Sequence, residues 1–170
     1  RHTNQLKNHL LQERGVLLIS EGLFLLFFAG WAYFRSLDPS INTTEQPMDF
    51  AFLNASLLAD SFPPLDPWLS GFHISYYYFG YLIMALLTKL TGIASAVSYN
   101  LSLALIAAMA ASGIFGLTCN LLRLNAASLT RSALYALAGP VFLLITSNLL
   151  GVVELGRLRG WITGGLLNWL

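Results

Sequence analysis

Three runs of mostly apolar residues, at 16–34, 96–122 and 132–150, constrain this chain more than anything else in it. A helix of 19 residues, the length of the first and third runs, rises far enough to cross a hydrocarbon core of about 30 Å. Inside lipid every backbone N–H and C=O must find its partner within the segment, so such runs are helical. A fourth apolar run, 74–90, is of marginal length. No run alternates in the manner of a strand. The expected class is an all-α integral membrane protein.

Composition agrees. The chain is 56% hydrophobic and only 10% charged, against roughly 25% charged in soluble domains. The net charge is +1, and no basic stripe offers a nucleic-acid surface. Cys119 is the single cysteine, so no intrachain disulfide forms. The polar start and the apolar stretch 166–170 at the end read as part of a longer polypeptide. No signal peptide is expected, since 1–14 is polar and no small-residue cleavage site follows.

Residues 1–15 carry Arg1, Lys7 and Arg14 ahead of the first run, which places the N-terminus in the cytoplasm of a plasma membrane. The loop after that run is acidic, with Asp38, Glu45, Asp49, Asp60 and Asp66, and lies outside. Two topologies remain open. In one, 74–90 lies in the outer interface and the spans are 16–34, 96–122 and 132–150. Residues 123–131 are then cytoplasmic and 151–170 outside. In the other, 74–90 is a fourth span. Lys and Arg counts barely separate them. The interfacial topology puts Arg1, Lys7, Arg14, Arg123 and Arg131 inside, and the four-span topology puts Arg1, Lys7, Arg14, Lys89, Arg157 and Arg159 inside. Tyr76–Tyr78, Tyr81 and Lys89 suit an interfacial helix or a short span equally.

Several polar residues stand out against this apolar background. Glu45 and Asp49 are four apart, so they share one face if Pro47 opens a helix. Such a pair holds a divalent metal or supplies a general base, or is merely favourable at a helix start. Tyr76, Tyr77 and Tyr78 would point in three directions around a helix, so one of them must face protein or ligand. Trp68, in the turn Phe62-Pro-Pro-Leu-Asp-Pro-Trp68, and His73 are further candidates for substrate contact; Asp66 reads as a turn starter. Glu21, inside the first run, is read as structural, reaching the interface or Arg14. Ala104, Ala108, Ser112 and Gly116 form a small-residue packing face.

The segments Glu45-Gln-Pro-Met-Asp-Phe50, Phe62-Pro-Pro-Leu-Asp-Pro-Trp68, Gly71 and Tyr76-Tyr-Tyr-Phe-Gly80 resemble a family of large polytopic membrane proteins named for its triple tyrosine, found in archaea and Chloroflexus-type bacteria. The resemblance covers about 15 to 155. That family in turn looks like the GT-C class of membrane glycosyltransferases, on layout and acid placement. The layout implies a GT-C-like N-terminal module with Asp49 as first-loop acid, Glu45 beside it, 74–90 lying on the membrane and Glu154 as second acid. It implies transfer of sugar from a polyprenyl-phosphate donor, with Mg2+ or Mn2+ held by Asp49 and Glu154, and Trp68, His73 and Tyr76–Tyr78 on substrate. The rival expectation is a non-catalytic transmembrane subunit of a larger respiratory or photosynthetic complex, with membrane lipid and other subunits as its partners.

Overall fold

A computed structural model describes residues 2–124, 128–146, 153, 156–157 and 159–160. The named elements among these are all helical: α1 (His2–Leu37), α2 (Gln46–Leu58), α3 (Tyr78–Thr91), α4 (Ser95–Leu124), α5 (Leu129–Ala136), α6 (Ala138–Pro140) and a π-helical turn at Val141–Ile145. Among the described residues, two helices are long and apolar enough to cross a membrane, over Leu11–Leu37 and Ser95–Leu124. The chain divides into two compact units, Phe27–Ile106, and Arg1–Leu26 with Ala107–Leu170.

The helix bounds differ from the apolar runs at three places. α1 runs unbroken from His2 through the basic segment 1–15 and the first apolar run. A helix stops at a cap or a breaker and not where hydropathy changes, and the lone Gly15 costs only about 1 kcal/mol. The helix expected over 74–90 starts at Tyr78. Tyr76 and Tyr77 precede it, so the three tyrosines are not arrayed around one helix. The run expected from 132 begins at Leu129, and its last residues, 147–150, lie outside the described residues.

In the unit Phe27–Ile106, α2 and α3 pack together. Pro47 sits in the first turn of α2, where a missing N–H goes unnoticed. α3 ends at Gly92, whose φ of 68° is left-handed and whose N–H bonds the Thr88 carbonyl at 2.9 Å. The core gathers Leu53, Ala85 and Tyr99, with Phe50, Leu57, Tyr81 and Met84 against them. Thr88 donates to the Met84 carbonyl at 2.7 Å, which leaves the Ser98 hydroxyl to donate to Thr88 and joins α3 to α4.

Two loops in this unit are closed by their own bonds. After α1, Arg35 Nε donates to Asn100 Oδ1 at 2.8 Å and its Nη2 to the Ser40 carbonyl at 3.0 Å. Asn100 Nδ2 donates back to the Pro39 carbonyl at 3.2 Å. The end of α1 and the start of α4 are thereby tied. Between α2 and α3, Leu65 bridges His73. Asp66 Oδ1 accepts from the Trp68 and Leu69 amides at 2.8 and 3.1 Å, so it does serve the turn.

In the other unit, Phe115, Cys119, Ala133 and Ala136 are buried together, with Val16, Ile19, Leu23 and Leu122 against them. Spacings of four and three place Phe115, Cys119 and Leu122 on one face of α4. Ala108 of the small-residue face is fully buried, while Ser112 and Gly116 are half-buried. Arg123 makes a two-pronged ion pair with Glu13, at 2.8 and 3.0 Å. Glu21 is exposed. Gly139 packs so closely on α4 that a Cβ there would lie 2.9 Å from Thr118 Oγ1. Pro140 cannot supply an N–H to the fourth residue back, which accounts for the break between α5 and the π-helical turn.

Candidate functional site

A cavity of about 310 Å³ opens in the unit Phe27–Ile106. Leu53, Met84, Leu103 and Ile106 form its apolar wall. Asp49, Tyr77, Tyr81, Tyr99 and Ser102 supply its polar atoms. No lysine, arginine or histidine lines it. It therefore suits a neutral or hydroxyl-bearing group at the carboxylate, and repels an anion.

Asp49 occupies the first turn of α2 and is half-buried. Tyr81, one turn into α3, donates its hydroxyl to Asp49 Oδ1 at 2.5 Å. Burial first, and then this bond to Asp49, push the Tyr81 phenol well above its ordinary range. Tyr81 thus stays protonated and remains the donor. Tyr81 holds one carboxylate oxygen, and Tyr99 reaches the same carboxylate from α4. Behind this bond stands an aromatic chain: Tyr81 against Phe52 at 5.6 Å, Phe52 against Tyr76 at 5.8 Å, and Tyr76 edge-on to Tyr77 at 4.9 Å. Phe50 meets Tyr99 edge-on at 5.8 Å.

The residues singled out in the sequence are only partly brought together. Asp49 and Tyr77 line the cavity, Tyr77 from an 82% exposed position at its rim. Glu45 is the exposed N-cap of α2 and bonds Asp49 through the backbone alone, its carbonyl accepting the Asp49 N–H at 3.0 Å. Tyr76 acts at one remove, through Phe52. Tyr78 is half-buried outside the lining. Trp68 and His73 are exposed on the closed loop, where His73 Nδ1 sits 2.6 Å from the Pro63 carbonyl oxygen. Glu154 lies outside the described residues. Among the described residues no three of His, Cys, Asp and Glu gather as for a metal. One carboxylate with an oxygen already engaged does not by itself fit a divalent cation.

Residues 1–166 match the DUF2298 family of uncharacterized membrane proteins. The chain belongs to that family. No curated protein and no solved structure matches the chain. Membership in DUF2298 and the two apolar helices make this a membrane protein. Within this DUF2298 chain, Tyr99 and Ser102 are site residues that the sequence did not mark. They reach the cavity from α4, fifty or more residues from Asp49, and only the packing of α4 on α2 and α3 joins them.

Proposed function

We propose that this chain is the N-terminal part of a membrane glycosyltransferase-like protein, and that the Asp49 cavity receives the acceptor hydroxyl. The observation that carries the reading is a carboxylate, held by a phenol at 2.5 Å, on the wall of a mostly apolar cavity. Asp49 takes the acceptor's proton as its oxygen bonds the anomeric carbon of a polyprenyl-phosphate-linked sugar. The bond from that carbon to the phosphate oxygen breaks, and the electron pair leaves on the phosphate. Tyr81 keeps the carboxylate in one orientation, while Leu53, Met84 and Leu103 exclude water.

Topology supports the same reading. The Arg35–Asn100 bond ties the end of α1 to the start of α4, which supports putting both at one membrane face. The 13 residues of α2 and 14 of α3 rise about 20 Å each, short of a core of about 30 Å. On this reading residues 38–94 stay on the outer face and α3 lies in the interface. Glu154, which lies outside the described residues, remains the proposed second acid.

The test uses the full-length protein with a polyprenyl-phosphate sugar. Asp49→Asn keeps shape and removes the base, so turnover should drop about 10²–10⁴-fold with the fold intact. Near-normal turnover would instead favour a non-catalytic subunit.

A further inference from the structure

A second groove in the unit Phe27–Ile106 has no part in that reaction. It encloses about 400 Å³ between the end of α1 and the start of α4. Ala32, Val97 and Leu101 make it apolar, and Arg35 and Asn100 stand in its wall. Arg35 is the only lysine or arginine from Gly15 through Thr88. It falls two residues before the end of the candidate span Leu11–Leu37, where headgroups begin.

The guanidinium is fixed but not saturated. Of its five N–H groups, one bonds Asn100 and one bonds the Ser40 carbonyl. Asn100 is itself anchored, donating to the Pro39 and Ala96 carbonyls at 3.2 and 3.0 Å. Three donors remain on a side chain that cannot swing away. The groove also includes the first turn of the 30-residue α4, where the amides of Ala96 and Val97 precede the intrahelical ladder. A helix start favours an anion. The acid close by is Asp38, and both the amide and the hydroxyl of Ser40 already bond its carboxylate.

We propose that this groove binds the phosphate of a membrane lipid. Arg35 and the α4 amides take the phosphate oxygens, and Ala32, Val97 and Leu101 receive the first carbons of the chain. A free phosphate would gain nothing from that apolar wall. The proposal rests on α1 and α4 as membrane helices and not on sugar transfer.

The purified full chain in mild detergent would be loaded with dioleoyl phosphatidic acid and the retained lipid measured by native mass spectrometry. The wild type should retain it. Arg35→Gln should weaken retention about tenfold or more, as loss of hydrogen bonds to a charged group implies, and Arg35→Lys should recover part. Asp38→Asn removes a competing charge and should tighten binding. Val97→Trp fills the groove without touching the Arg35 bonds and should also release lipid, so it decides the matter if Arg35→Gln fails to fold. Asp49→Asn should bind as the wild type does, which separates this site from the transfer reading. Retention unchanged in both Arg35→Gln and Val97→Trp would overturn the proposal. So would equal retention of dioleoylglycerol, or displacement of the lipid by inorganic phosphate at equal concentration.

Discussion

At the scale of single residues, Tyr81 and Asp49 depend on one another. Tyr81→Phe leaves a half-buried carboxylate oxygen without its donor, and should destabilise the protein by about 1–3 kcal/mol. It should lower turnover less than Asp49→Asn does, since the base survives but loses its orientation. The double change should be less harmful to stability than the two added together, because Asp49→Asn already weakens to a neutral bond the one that Tyr81→Phe removes. Thermal melts and turnover of the four variants check this; strict additivity in the melts would deny the bond any weight. How far this site could be read beforehand follows from the residues themselves. Asp49 was legible because an acid just after a helix-opening proline is conspicuous in a loop facing lipid. Its partner was within view, as Tyr81 belongs to a visible tyrosine cluster. Nothing local ranked Tyr81 above Tyr76 or Tyr78, since a side chain's direction depends on where the helix begins, and α3 begins at Tyr78. Tyr99 and Ser102 had no signal, because their nearness to Asp49 exists only after α2, α3 and α4 have packed.

At the scale of elements, length and apolar content made the two long helices readable, and the ends of α2 and α3 were set by Pro47 and Gly92. The start of α3 was hidden because Tyr76 and Tyr77 are as aromatic as the helix they precede. There the backbone turns instead of coiling, with the Tyr78 N–H on the Tyr76 carbonyl at 2.7 Å. The contact of α6 with α4 gives a sharper test. A methyl at 139 meets Thr118 Oγ1 at 2.9 Å and the Ile114 carbonyl oxygen at 3.3 Å. Gly139→Ala should therefore cost about 1–3 kcal/mol by overpacking, against the usual gain for alanine over glycine in a helix. Adding Thr118→Ala should restore part of the loss. A melt unchanged or raised by Gly139→Ala alone would mean that this pair of elements does not meet so closely.

At the scale of the whole molecule, the outer segment should begin and end on one side of the membrane. Single cysteines made by Asn42→Cys and Ala94→Cys should both react with an impermeant thiol reagent on intact cells, and one made by Ser128→Cys should not. Reaction at 42 with protection at 94 would turn α3 into a span. Because Cys119 is buried, the native thiol contributes little background to the measurement. The bridge between Leu65 and His73 has a practical consequence of its own. It shuts the loop at its base, so Ser70 and Gly71 sit at an exposed tip whose length is uncoupled from the spacing of α2 and α3. An epitope spliced in at that tip would leave both helices seated, giving antibodies a handle on this membrane protein.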